Sequence, residues 1–159
     1  MERLTQFRQL LSEGKFDGFV VTAPASRRYL SGFTGSSGVL VINREEAILL
    51  TDFRYLDQAA EEVKDSGFQV KEHDPQVWET VAAEIMRICS GGRSPWGFES
   101  EHLVEKNYRA LYERMECCVL TPTEGFVNRL RRKKSAAEIA AIRKAVQITD
   151  QAWARLLPE

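Results

Sequence analysis

No stretch of this 159-residue chain approaches the about 18 consecutive apolar residues that a bilayer span requires. A basic excess is also missing. The 22 Lys and Arg residues stand against 23 Asp and Glu, which argues against nucleic acid or an anionic membrane surface as partner, since both draw on net positive charge. The first residues, MERLTQFRQLL, are charged and amphipathic. They lack an apolar core followed by a small-residue cleavage site, so no secretory signal is read. Cysteine is scarce: Cys117 and Cys118 are adjacent and Cys89 is alone. An odd count without a spacing pattern suits thiols in a reducing cytoplasm. His73 and His102 are the only histidines, and with three cysteines they make a poor zinc set. There is no internal repeat, no low-complexity tract, no HExxH helix and no GxSxG elbow.

What is present suits one globular α/β domain. A chain of this length buries roughly 70% of its unfolded surface without disulfide staples. The 43% apolar and 28% charged fractions are those of a soluble protein. Leu4, Phe7 and Leu11 share one helical face, with Gly14 placed as its cap. Phe19-Val20-Val21 reads as a buried strand stopped by Pro24, and Ser26 to Gly38 reads as a Gly/Ser/Thr-rich loop. Val39–Ile42 and Ala47–Leu50 flank Asn43-Arg44-Glu45-Glu46 as a hairpin. Asp52 is placed to cap a helix that turns Leu56, Ala59, Ala60 and Val63 inward. Phe68 to Val70 is a further strand. Asp74-Pro75 is the predicted start of a helix carrying Val77, Val81, Ile85 and Ile88, and Gly91-Gly92 with Pro95 marks a loop. Trp96 to Phe98 and Cys117 to Leu120 are strands around a helical stripe of Tyr108, Leu111, Tyr112 and Met115. Alternation of this kind implies layered α/β architecture, and the hairpin makes the sheet mixed.

The end of the chain differs. Arg129, Arg131, Arg132, Lys133 and Lys134 form a basic run around Leu130. Ser135 and Glu138 make a capping-box pair ahead of a helix bearing Ile139, Ile142, Val146 and Trp153 near one face. That face has no following element to pack on, up to Leu157-Pro158-Glu159. The expected division is therefore a domain over residues 1–128, then a basic hinge and the first helix of a second domain over residues 129–159.

Residue chemistry alone yields no active site. Gly32, Gly35 and Gly38 precede a strand and no Lys accompanies them, so they read as a tight turn with positive φ and not as a phosphate loop. Asp52 and Arg54 stand where a strand feeds a helix. Such strand ends often line a crevice, although a cap and a solvated charge would look the same. Glu99, Glu101 and His102 read as a surface loop before they read as metal ligands.

Four segments together resemble one family. Tyr29-Leu30-Ser31-Gly32-Phe33-Thr34-Gly35-Ser36 is similar to the YLTGFTGS loop of creatinase/prolidase N-terminal domains. Leu50-Thr51-Asp52-Phe53-Arg54-Tyr55 is similar to LTDxRY, and Gly97-Phe98-Glu99 to the GFE strand. Leu130 to Ser135, with Glu138-Ile139 and Ile142-Arg143-Lys144-Ala145, resembles the LRxIKSxxEIxxIRKA junction. Ser26 stands where Asn is usual and Arg132 where Ile is common. The GFTGS form resembles Xaa-Pro aminopeptidases (aminopeptidase P) most.

The resemblance implies a three-layer α/β/α domain with a mixed, ribonuclease H-like sheet, non-catalytic by itself and cytoplasmic. It implies a catalytic pita-bread domain in cis, where two Asp, one His and two Glu would hold two divalent ions, manganese or cobalt. It further implies a homodimer and a proline-containing peptide substrate. Catalytic and metal-binding residues are expected to be absent from this chain, which itself needs no cofactor. Tyr29, Phe33, Ser36, Asp52 and Arg54 are the candidates for a substrate- or interface-facing surface. Prolidases, creatinase-like amidinohydrolases and non-enzymatic peptide-binding modules are the alternatives on the same scaffold.

Overall fold

A computed structural model describes residues 2–89, 92–116 and 118–156. Gly91, Cys117 and Leu157 to Glu159, which the sequence places in a loop, a strand and the chain's last turn, lie outside the described residues. Helix α1 (Glu2–Glu13) leads to strand β1 (Gly18–Val21), α2 (Pro24–Ser31), β2 (Val39–Asn43) and β3 (Ala47–Thr51). A 3-10 turn at Phe53–Tyr55 opens α3 (Leu56–Val63). Then follow β4 (Gln69–Glu72), α4 (Val77–Ile88), β5 (Ser94–Glu99), α5 (Glu105–Tyr112) and β6 (Cys118–Thr123). Short α6 (Asn128–Arg131) and long α7 (Ala136–Leu156) end the description.

The six strands form one sheet in the order β4-β3-β2-β1-β5-β6. β2 is antiparallel to β1 and β3, and the β1–β5, β3–β4 and β5–β6 pairs are parallel. Every strand but β2 therefore points the same way, and the carboxyl ends of five strands share one edge. Successive side chains of a strand face opposite sides, so each strand feeds two cores. Phe19 and Val21 join Leu40, Ile42 and Leu49 under α1, α2 and α3. Val20, Val41, Ile48 and Leu50 join Val81, Ile85 and Leu111 under α4 and α5. The result is the expected three-layer α/β/α arrangement with a mixed sheet.

Local differences from the sequence reading have physical causes. The segment read as a loop from Ser26 is helical through Ser31, ended by Gly32 at φ 85°. Its N-cap, Ala23, has no capping side chain; the cap comes from β5. Glu99 is buried and accepts hydrogen bonds from Thr22 N at 2.9 Å and Ala23 N at 2.8 Å. Gly32 alone of the three loop glycines has positive φ. Gly35 is required by close approach, since a Cβ there would collide with the Phe33 ring.

At the end of α1, Lys15 and not Gly14 takes the left-handed position, with φ 58°. Phe16 N donates to Leu11 O and Lys15 N to Ser12 O, the paired bonds of a Schellman turn. Asp74 does not cap α4, which begins at Val77 behind Gln76; Asp74 N instead donates to Thr80 Oγ1. Ala60 and Tyr112 are exposed, not inward. The hairpin stands as read, its turn held by Asn43 Oδ1 accepting from Glu45 N and Glu46 N. The capping box is formed, Glu138 N donating to Ser135 Oγ and Ser135 N to Glu138 Oε2.

Candidate functional surface at the strand ends

The carboxyl ends of β1 and β3 and the start of β2 bring the loop after α2 beside the turn after β3. Arg27 organises that loop from below. Its side chain is buried, and Nη1 and Nη2 donate to Gly38 O at 2.7 Å and Gly35 O at 2.6 Å. Burial lowers its pKa, with Tyr55 acting the other way, yet an arginine stays charged in any protein environment. The guanidinium lies 5.7 Å from the Phe33 ring centre, and Phe33 stands edge-on to Tyr55 at 5.9 Å. The loop is pinned on its outer side by Thr34, whose N and Oγ1 donate to Glu62 at 2.7 and 2.6 Å. Those bonds from Thr34 hold the Glu62 carboxyl below its usual range. Thr51 Oγ1 donates to Ser37 O at 2.8 Å and closes the loop against β3.

On this base sits an exposed polar rim. Asp52 caps the turn through Arg54 N at 3.1 Å and accepts a fork from the same residue, Nε at 2.8 Å and Nη2 at 3.0 Å. The hydrogen bonds from Arg54, with a further one from Ser37, hold the Asp52 carboxyl well below the aspartate range, and Asp52 raises Arg54 in turn. Arg54 remains 62% exposed in its side chain. Its Nη1 hydrogens are not used by Asp52, so they stay available to a carboxylate or phosphate acceptor. Ser36 Oγ and Tyr55 Oη meet at 2.8 Å beside it. Phe53, next in sequence to Asp52, has 72% of its surface exposed. Glu72, His73, Asp74 and Pro75, at the end of β4, form the other wall of a cleft that includes Asp52, Phe53 and Arg54.

The structure thus unites Ser36, Asp52 and Arg54 on one edge. Phe33 lies beneath them, fully buried, and shapes the loop instead of facing solvent. Tyr29 lies apart, at the hinge. The Arg3 guanidinium stacks 4.4 Å from its ring centre, and its Oη is 3.5 Å from Leu130 O. Arg3 continues to Glu138 Oε1 at 3.1 Å, so Tyr29 belongs to the junction of α1, α2, α6 and α7. Arg27 was not singled out from sequence. Phe53 and Tyr55 lay inside the segment similar to LTDxRY, and Glu99, read as part of a surface loop, is instead the buried end of β5. Nothing local distinguishes the buried Arg27 from the exposed Arg28 beside it.

Among the described residues no three His, Cys, Asp or Glu side chains converge to hold a metal ion. Glu101 and His102 are exposed while Glu99 is occupied under α2. The edge presents a guanidinium, two hydroxyls and an exposed ring.

A family model described as the creatinase/prolidase N-terminal domain matches residues 3–133. An uncharacterised peptidase of Bacillus subtilis, YqhT, is 34% identical over 98% of this chain and 42% of its own length. The structure described as the Xaa-Pro dipeptidase from Bacillus anthracis has a TM-score of 0.88 and 32% identity, covering 98% of this chain and 42% of that one. The structure of the N-terminal domain of the cytoplasmic peptidase PepQ from Mycobacterium tuberculosis H37Rv has a TM-score of 0.70 and 27% identity. There the overlap is 81% of this chain and 98% of that one. The chain thus spans about two fifths of the longer relatives, and a chain little more than the matched domain has a solved structure.

Proposed function

Because the chain belongs to the creatinase/prolidase N-terminal domain family, we propose that it is the non-catalytic, cleft-covering and dimerising domain of a metal-dependent Xaa-Pro aminopeptidase. The observation that carries this reading is where the likeness ends. The family model stops at residue 133, whereas similarity to the longer peptidases continues along α7 to 98% of the chain. Helix α7 supports it physically: no residue of it is buried, and Ile139, Ile142, Val146 and Trp153 are 40–58% exposed. A helix with an uncovered apolar stripe wants a second packing layer. We propose with it a division at residues 128 and 129, with the basic run and α6 as the hinge.

On this reading the strand-end edge faces the reaction cleft. Arg54 would pair a substrate carboxylate or an acidic group of the neighbouring subunit. The catalytic domain, and two divalent ions held by residues outside this chain, would supply the hydrolysis. Among the described residues no helix is long and apolar enough to cross a membrane, and the cytoplasmic PepQ relative supports a cytoplasmic location.

A second reading is favoured by the Bacillus anthracis likeness: the parent acts on Xaa-Pro dipeptides. The test is hydrolysis by the full-length protein, with manganese and with chelator, of Xaa-Pro tripeptides and dipeptides. Metal-dependent release of the residue before proline from tripeptides is the expected outcome. Cleavage of dipeptides alone would transfer the assignment to the dipeptidase, and inertness toward both would overturn it.

A further inference from the structure

The opposite edge of the sheet, where the five co-directional strands begin, carries a feature that the strand-end surface does not use. Cys89 caps the carboxyl end of α4, and Cys118 is the first residue of β6. They are separated by 29 positions, yet Cys118 Sγ and Cys89 Sγ touch at 3.2 Å. Cys118 is nearly buried, at 9% exposed. Cys89 is only partly covered, and it lines a polar cleft with Asp17, Asn43, Arg44, Arg87 and Ser94. That cleft gives a small polar oxidant a route to one sulfur while the other waits behind it. The third cysteine, Cys117, adjoins Cys118 in sequence and lies outside the described residues.

We propose that Cys89 and Cys118 form an oxidative modification site, closing to an intramolecular disulfide when the protein meets a hydroperoxide. Bond formation needs the sulfurs to approach from 3.2 Å to about 2.05 Å. Both lie where an element ends or begins, so the shift need not pass through a helix or the sheet interior. Cys89 as thiolate attacks one peroxide oxygen, the O–O bond breaks, and a sulfenic acid and hydroxide result. Cys118 sulfur then attacks Cys89 sulfur, and the sulfenic oxygen leaves as water with the Cys118 proton. The proton that Cys89 gave up completes the second water. Two thiols are oxidised and one hydrogen peroxide is reduced to two waters. A dithiol reductant reverses the change by exchange. The bond would tie the α4–α5 layer to the edge strand and leave the Asp52–Arg54 rim, at the other end of the strands, untouched.

The 159-residue chain is suitable for the test, since a solved relative consists of little more than this domain. It is treated with hydrogen peroxide, blocked with iodoacetamide and mapped by mass spectrometry without reduction. The expected result is a Cys89–Cys118 linked peptide, lighter by two hydrogens and lost on dithiothreitol treatment. Closing a loop of this size should raise Tm by roughly 5–10 °C over the reduced form. Cys117→Ser should retain the linkage and the shift, and Cys89→Ser should lose both. Recovery of Cys89 alkylated or as sulfinic acid would overturn the proposal. So would a linkage through Cys117 or between two chains.

Discussion

Replacing Glu99 by alanine removes the cap of a helix that starts 75 residues earlier, and the cost can be worked from the contacts. The carboxylate holds Thr22 N at 2.9 Å and Ala23 N at 2.8 Å, and Ala23 is 3% exposed. A hydrogen bond to a charged partner contributes about 1.5–3 kcal/mol, and a buried donor left without one costs about 1–3 kcal/mol. Removing the carboxylate also relieves its own desolvation, which offsets part of the loss. The favourable field of an anion at the first turn of α2 disappears as well. The net expectation is a loss of about 2–4 kcal/mol. Both amides donate to the same oxygen, Oε2, so Glu99→Gln can keep both bonds through its amide oxygen and lose only their charge assistance, a cost of about 1 kcal/mol. Urea unfolding followed by tryptophan fluorescence and circular dichroism reads both through the midpoint at unchanged slope. A Glu99→Ala loss below about 0.5 kcal/mol would refute the reasoning, since water would then replace the carboxylate at no cost.

The other predictions concern the termini, pH and the rim. Backbone amides of α7 should exchange with deuterium much faster in this chain than those of β1 or β2, because no residue of α7 is buried; equal protection would contradict the missing packing partner. Stability should be level near neutral pH and decline in acid. Glu46 and Glu62 sit below the ordinary 4.5, through bonds from Arg87 and Thr34, and Asp52 sits below 3.8 through Arg54. For depressed carboxylates the stabilisation is complete above the unfolded value and is lost as pH falls through the folded one. Urea midpoints that rise from pH 5 to pH 3 would reverse that sign. Arg54→Ala in the full-length protein should leave the urea midpoint within about 0.5 kcal/mol of wild type. It should nevertheless weaken either dimerisation or peptide hydrolysis, and a variant unaffected in both would remove Arg54 from the facing surface.

The contrast between α2 and the β2–β3 hairpin shows what is legible in this sequence. The hairpin is a local object. Two apolar runs flank an Asn whose side chain accepts from the amides two and three residues on, so pattern and chemistry lie within the twelve residues from Val39 to Leu50. Helix α2 is not local. Its cap is Glu99, donated from another strand, and its amino-terminal neighbour Ala23 carries no signal. Gly32 and Gly35 then make its second half resemble a loop. At the α1 terminus Gly14 holds the expected cap position, while the left-handed φ falls on the next residue, Lys15, which no local signal marks. Asp74-Pro75 has the composition of a helix start, yet the helix begins behind Gln76. The strand-end surface was half legible. Asp52 and Arg54 were visible as a motif at a strand end. Arg27 was not, because a buried guanidinium held by two carbonyls leaves no periodic trace.

The central claim is that a second, metal-binding domain completes this one, and reading the native frame beyond Glu159 tests it most directly. The account predicts continuation through roughly one more domain or two of ordinary length, with two Asp, one His and two Glu in family order. A frame that stops, or continues without those ligands, would contradict the peptidase assignment and leave a peptide-binding module in its place.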